Sequence, residues 1–72
     1  MIRYRTRLIV AGQSHETYRD SEDASGAAWS AIRGWRSDAN FRSATVRQGY
    51  THYVFGGPRM SDVATVDVYD QN

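Results

Sequence analysis

The sequence of 72 residues contains no cysteine, no lysine and only one proline. Without cysteine the chain has no disulfide bond, no thiolate metal ligand and no cysteine nucleophile, a composition that suits a reducing compartment. It also lacks an apolar run near the roughly 18 residues of a membrane span, and three early arginines interrupt any signal-peptide core. We therefore expect a cytoplasmic protein without a membrane segment, whose fold depends on packing alone.

Arginine supplies all nine basic side chains, and eight acidic residues bring the net charge to +1. A guanidinium forms bidentate hydrogen bonds with carboxylates and phosphates and stacks on aromatic rings, which sets it apart from lysine. Codon usage in a GC-rich genome also accounts for arginine in place of lysine. Because the total charge is nearly balanced, the composition does not indicate a strongly basic nucleic-acid-binding protein.

The length predicts a single domain that covers residues 1–72. A domain of this size buries only about 60% of the surface that its unfolded chain exposes, so its own core is marginal. Binding to a partner or to a second copy would add to that core.

The clearest pattern lies at the start, where Arg3, Arg5 and Arg7 alternate with residues suited to a core. This period of two predicts a strand over 3–11 with the three arginines in a row on one face. The turn signal at 12–14 then predicts a hairpin, with a more polar second strand over 15–19.

The next segment predicts a helix that ends near Arg36. Asp20 or Ser21 is suited to cap its N-terminus, and alanines repeat along one side at the helical period. Alanine on the buried stripe lets a helix lie close to a sheet. Trp35 aligns with this stripe, and Gly34 is a candidate for the C-terminal cap.

The remaining sequence predicts three more strands, over 41–48, 50–55 and 63–69. The elements then follow the order strand, strand, helix, strand, strand, strand. We expect an α+β fold in which a single helix packs on one face of a mainly antiparallel sheet of about five strands. Tyr53 and Phe55 are expected to face the helix.

A single helix leaves the second face of the sheet uncovered, and this open face is the natural place for a binding function. The side chains expected on it come from three strands: Arg3, Arg5, Arg7, Thr45, Arg47, Thr65, Asp67 and Tyr69.

Three interpretations of the arginine row stay open. The charges can be neutralised on a solvated face by Glu16, Asp67 or Asp70. They can instead bind an acidic protein surface, or they can bind phosphates while Tyr50 and Tyr69 stack on bases.

Trp29 lies at the edge of the predicted helix stripe, where it either packs over the helix flank or anchors a partner. Catalysis and metal binding are not expected. Neighbouring residues at 14–16 point to opposite faces of a strand, and the spacing of His15 and His52 resembles no metal site. We therefore expect no enzyme activity, no metal and no cofactor.

The chain as a whole resembles, in general style, the small single-domain proteins of phages and mobile elements, including anti-CRISPR proteins and other phage inhibitors of host machinery. The shared features are a length near seventy residues, a helix on a short-stranded sheet and the lack of an enzyme motif. The resemblance implies stoichiometric binding, often to a complex that handles nucleic acids. Because no residue motif carries it, it transfers no functional positions.

The sequence thus predicts a non-enzymatic protein that docks on a protein partner through the open sheet face or the helix flank. The candidate contact residues are Arg3, Arg5, Arg7, Arg47, Trp29, Tyr50 and Tyr69. Two alternatives remain. One is direct nucleic-acid binding by the arginine face, and the other is a homodimer that hides the open face or a sheet edge.

Overall fold

A computed structural model describes residues 1–71, which form five β-strands and one α-helix. The elements are β1 (Ile2–Val10), β2 (Gln13–Ser21), α1 (Ala24–Arg33), β3 (Asn40–Arg47), β4 (Tyr50–Gly56) and β5 (Val63–Tyr69). The strands form one antiparallel sheet in the spatial order β2-β1-β5-β4-β3, and α1 packs on one of its faces. The predicted α+β fold and its element order are confirmed.

The core lies between α1 and the central strands. Small side chains of the helix let it approach the sheet closely, and the aromatic ring of Phe55 fills the space beside them. The buried apolar residues are Ala27, Ala28, Ala31, Ile32, Tyr53, Phe55, Ala64, Val66 and Val68. Tyr53 and Phe55 thus face the helix, as the alternation of their strand predicts.

One polar side chain, Thr6, is fully buried under the helix. Its hydroxyl donates to the backbone oxygen of Thr17 at 3.2 Å and lies 3.0 Å from the Thr17 hydroxyl. These contacts replace the hydrogen bonds to water that the buried hydroxyl gives up on folding, so the group is accommodated without a large penalty.

The turn between β1 and β2 consists of Ala11 and Gly12, so the predicted turn at 12–14 is wrong: it begins one residue and ends two residues too late. Both residues have positive φ, at 53° and 78°. A two-residue turn of this kind matches the right-handed twist of the flanking strands. The strand β2 therefore begins at Gln13, and this position fixes which of its residues face β1.

The helix begins later and ends earlier than predicted. Its N-cap is Asp23, whose Oδ1 accepts the backbone N–H of Gly26 at 2.7 Å, rather than Asp20 or Ser21. Those two residues belong to β2, where Asp20 pairs with Arg3. The helix ends at Arg33 with Gly34 as its C-cap, so the glycine cap is confirmed and the extension to Arg36 is wrong.

The position of α1 over the sheet is asymmetric. The backbone of the helix lies close to β1, β2, β4 and β5, whereas within residues 1–71 no Cα atom of the helix comes within 8 Å of one in β3. Two surfaces are consequently left without a covering layer. One is the open face opposite the helix, and the other is the helix side of β3.

Candidate functional site

The strand register brings one residue from each of the five strands into a transverse row on the open face. Arg5 pairs with Tyr18 of β2, while Tyr50 pairs with Tyr69 of β5 and with Arg47 of β3. The guanidinium of Arg5 lies 4.0 Å from the centre of the Tyr69 ring, which joins the two halves. These five residues, Tyr18, Arg5, Tyr69, Tyr50 and Arg47, form the tyrosine–arginine row.

Aromatic and cationic contacts hold the middle of this row together. The ring centres of Tyr50 and Tyr69 are 5.9 Å apart with an angle of 45° between the planes. A cation–π contact such as that of Arg5 with Tyr69 contributes about 0.5–1 kcal/mol at an exposed site. Tyr18 is 66% exposed, and Arg5 and Arg47 are exposed as well. The row therefore spans the full width of the sheet, with Tyr18, Arg5 and Arg47 exposed and the rings of Tyr50 and Tyr69 half-buried between them.

A second transverse row, the charged row, lies beside the first and contains Glu16, Arg7, Asp67, His52 and Thr45. Arg7 binds Glu16 with a nitrogen–oxygen distance of 3.2 Å. Asp67 lies opposite Arg7 in the register, but its Oδ1 is 2.5 Å from Nδ1 of His52. Both carboxylates of this row are thus engaged by side chains of the neighbouring strands.

The ion pairs determine which arginines of the open face have no carboxylate partner. Arg3 is bound to Asp20 at 3.2 Å, so two of the three arginines of β1 are neutralised by carboxylates of β2. Of the three partners that the sequence suggests, Glu16 takes that role, whereas Asp67 binds His52. Within residues 1–71, three open-face arginines form no salt bridge: Arg5, Arg42 and Arg47. The guanidinium of Arg42 lies over Gly56 and donates to the carbonyl oxygens of Arg59 and Met60. Arg5 and Arg47, whose guanidiniums have no such acceptors, both belong to the tyrosine–arginine row.

The structure groups the candidate residues into three sets. Arg5, Arg47, Tyr50 and Tyr69 come together in the tyrosine–arginine row. Arg3 and Arg7 share the open face but are held in ion pairs. The last candidate, on the helix side, is described next.

Trp29 is separated from the other candidates by the thickness of the sheet. Its ring meets that of Phe55 edge-on, with the centres 5.0 Å apart, and the guanidinium of Arg33 lies 5.3 Å above it. The side chain is half-buried and packs against the core. It belongs to the flank of α1 and contributes nothing to the open face.

Tyr18 is the functional candidate that the sequence does not single out. Tyr18 lies opposite Arg5 because the hairpin turn is at Ala11 and Gly12. The predicted turn at 12–14 gives a different register, in which the two residues do not pair. The sequence contains one indication of the true turn, the Ala-Gly pair between two alternating segments. Alanine is, however, an uncommon first residue in such a turn.

Other parts of the molecule do not add to this site. His15 pairs with Leu8 on the helix side, whereas His52 lies on the open face, so the two imidazoles point away from each other. A cavity of about 440 Å³ opens on the helix side, where Leu8, Val10 and Trp35 line it. In the described residues, no cluster of three or more histidine, aspartate and glutamate side chains could hold a metal ion. The helix found there is not of the length and apolarity needed to cross a membrane.

No protein-family profile, curated protein or solved structure matches the chain. The chemistry of the open face is then the basis for a functional proposal. Two free guanidiniums offer bidentate hydrogen bonds to planar anions, and the tyrosines between them offer flat apolar surface with hydroxyl groups at the edge.

Proposed function

We propose that the chain is a non-enzymatic binding protein whose open sheet face docks on an acidic surface of a protein partner. The observation that carries this proposal is the tyrosine–arginine row, where two guanidiniums without a salt bridge and three tyrosines lie at one level of the sheet. Both guanidiniums and Tyr18 are exposed, and Tyr50 and Tyr69 are half-buried. Tyrosine and arginine are enriched among the residues that contribute most to protein interfaces, because they bury large areas and keep polar contacts.

The charges of the open face favour an acidic partner. Its carboxylates are already bound to Arg3, Arg7 and His52, so Arg5 and Arg47 must find their counter-charges elsewhere. These two residues lie on β1 and β3, whose backbones are three strand spacings, or about 14 Å, apart, and the Arg5 guanidinium leans over Tyr69 of the intervening β5. A matching surface carries two carboxylates across this span, with apolar or aromatic groups between them.

Direct nucleic-acid binding is supported less well by the same face. Two free guanidiniums neutralise about two phosphates, so the logarithm of the binding constant for a single strand would fall with a slope of only about −1.4 against the logarithm of salt concentration. The tyrosine pair can stack on bases, but the electrostatic term that dominates non-specific binding is small here. The arrangement therefore supports a protein partner over a nucleic acid.

In this proposal the chain acts by occupying the surface of its partner. Such stoichiometric action is what the resemblance to small phage inhibitors implies, and a small domain with a broad exposed sheet face is suited to it. The partner belongs, on this view, to an assembly of the host cell whose surface is acidic.

The proposal is tested by affinity capture from a lysate of the native host, with and without nuclease. The variant Arg5→Gln with Arg47→Gln removes both free guanidiniums, and Arg33→Gln on the helix flank is the matched control. Since all three positions are exposed, the fold should be retained, with a loss of about 1 kcal/mol or less from the cation–π contacts of Arg5 and Arg33. We expect a nuclease-resistant protein to be captured by the wild type and the control and lost with the double variant.

Three results would contradict the proposal. Capture of nucleic acid alone would assign the face to direct phosphate binding. Retention of the protein by the double variant would show that the row is not the contact surface. Loss of the protein with Arg33→Gln would move the contact to the helix flank around Trp29.

A further inference from the structure

The strand β3 is an edge of the sheet that no other element covers. It is the last strand in the spatial order, and all of its residues are exposed. The helix contacts each of the other four strands and leaves this one uncovered within residues 1–71. The outer side of such a strand presents backbone N–H and C=O groups that can pair with a further strand.

The opposite edge of the sheet is different. The strand β2 is contacted by α1, and its acidic residues Glu16 and Asp20 are bound to arginines of β1. Its sequence is polar almost throughout. The edge at β2 therefore lacks an exposed aliphatic side chain such as Val46, and its arginine without a salt bridge, Arg19, is half-buried and donates to the hydroxyl of Thr17 at 3.3 Å.

The two sides of β3 have different chemistry. A bulge between Phe41 and Ser43 interrupts the strand, and from 43 to 47 it pairs regularly with β4. On the helix side lie Ala44, opposite the buried Tyr53, and Val46, which is 82% exposed. On the open face lies Arg47, opposite Tyr50.

The apolar side of β3 is exposed because the helix is too narrow for the sheet. A helix about 10 Å wide covers roughly two strand spacings of about 4.8 Å. Five strands span four such spacings, which is about twice the width that one helix covers. Here the helix lies toward β2, β1 and β5, so Phe41 and Val46 remain 50% and 82% exposed.

We propose that β3 binds an extended acidic segment of the partner, which adds to the sheet as a sixth strand. The segment alternates apolar and acidic residues. Its apolar side chains cover Ala44 and Val46 on the helix side, and its carboxylates face Arg47 on the open face. The inference rests on the proposed function and deepens it, because it names the part of the acidic partner that makes backbone contacts.

Charge favours such a segment over a second copy of the chain. The strand β3 carries Arg42 and Arg47 and no acidic residue, so a second copy paired along β3 offers no carboxylate of that strand to either arginine. The guanidinium of Arg42 is turned away from the edge, where it donates to the carbonyl oxygens of Arg59 and Met60 at 3.4 Å. Arg47 is thus the charge that an added strand meets first.

The test is a titration of the chain with a synthetic peptide of about eight residues that alternates valine and glutamate, followed by nuclear magnetic resonance of the backbone amides. A peptide that alternates valine and lysine is the matched control. We expect the glutamate peptide to shift and protect the amides at 43–47. The lysine peptide should bind at least about tenfold more weakly, the equivalent of ~1.4 kcal/mol.

Two variants sharpen the test. Arg47→Glu should reverse the preference, so that the lysine peptide binds better than the glutamate peptide. Val46→Lys should weaken binding of the glutamate peptide by about tenfold through loss of the apolar contact, even though it adds a favourable charge. Both positions are exposed, and circular dichroism checks that the fold is kept.

Several results would overturn the inference. One is a shift of amides at Tyr18 and Tyr69 with no change in β3, which would leave the proposed open-face function in place. A lack of preference between the peptides, or no binding by either, would also refute the docking edge. Protection of β3 without peptide in a particle of twice the monomer mass would assign the edge to a second copy. In each case the affinity-capture experiment tests the proposed function of the open face independently of the peptide titration.

Discussion

At the residue scale, the side chain opposite each arginine of β1 decides whether that arginine is free. Arg7 meets Glu16 and is bound, whereas Arg5 meets Tyr18 and stacks on Tyr69 instead. The alternation of β1 places all the arginines on one face but cannot distinguish them. Their difference depends on the partner residues in β2, and these depend on the position of a single turn.

That turn contains a residue under strain. Ala11 has a φ of 53°, a conformation that costs a residue with a Cβ about 1–2 kcal/mol. Asparagine tolerates it better, and Asn-Gly is a preferred sequence for this type of turn. We expect Ala11→Asn to raise the free energy of unfolding by about 0.5–1 kcal/mol, as measured by urea denaturation.

The neighbouring glycine supplies the matched control. Gly12 has a φ of 78°, and a Cβ placed there would meet no atom within 4 Å. Gly12→Ala should therefore lower the free energy of unfolding by about 1 kcal/mol through the backbone alone. An unchanged stability in both variants would mean that the hairpin does not use this turn in solution.

The buried Tyr53 makes stability depend on pH. Burial, with smaller contributions from Asp23 and Tyr4, raises the pKa of the Tyr53 hydroxyl above its ordinary value of 10.0. The folded chain then keeps this proton at a pH where the unfolded chain releases it, so stability is lost as the pH rises beyond about 10. We expect Tyr53→Phe to reduce the fall in unfolding free energy between about pH 9 and about pH 11.

The exposed Tyr18 is the control for this measurement. Tyr18→Phe removes a hydroxyl from a side chain that is 66% exposed, so it controls for the loss of a tyrosine hydroxyl without a change in the buried core. If both variants behave like the wild type, another group is responsible for the loss of stability at high pH.

At the element scale, the alternation and helical period predict the number, order and exposed faces of the elements, but they do not determine every boundary. The last strand, β5, has the predicted bounds 63–69 because alternation and flanking polar residues coincide there. The start of α1 is less well determined by the local sequence. Asp20, Ser21 and Asp23 are all good capping residues, and only pairing of β2 with β1 shows that the first two belong to a strand.

The helix cap gives a direct test of this boundary. Asp23→Ala removes the acceptor of the Gly26 N–H and should lower the free energy of unfolding by about 1 kcal/mol. Asp20→Ala breaks only an exposed ion pair with Arg3 and should change it by less than about 0.5 kcal/mol. The opposite ranking in urea denaturation would place the cap at Asp20.

At the scale of the whole molecule, the tyrosine–arginine row depends on long-range pairing that no local pattern contains. The strands β1 and β5 lie far apart in the sequence but are neighbours in the sheet, and this brings Arg5 onto Tyr69. The sequence therefore predicts Arg5, Arg47, Tyr50 and Tyr69 as candidate contact residues and places Arg5, Arg47 and Tyr69 on the open face, but it does not predict that the four lie in one transverse row. The single helix explains why the open face and the edge at β3 both remain uncovered.

Photo-crosslinking from the row tests the central claim most directly. Benzoylphenylalanine replaces Tyr18, an exposed aromatic residue at one end of the row, and in a control chain it replaces the exposed Ser25 of the helix. After irradiation in a lysate of the native host, we expect the chain labelled at position 18 to form an adduct that protease destroys and nuclease leaves intact. Adducts from position 25 alone, or adducts that nuclease removes, would contradict docking of a protein on the open sheet face.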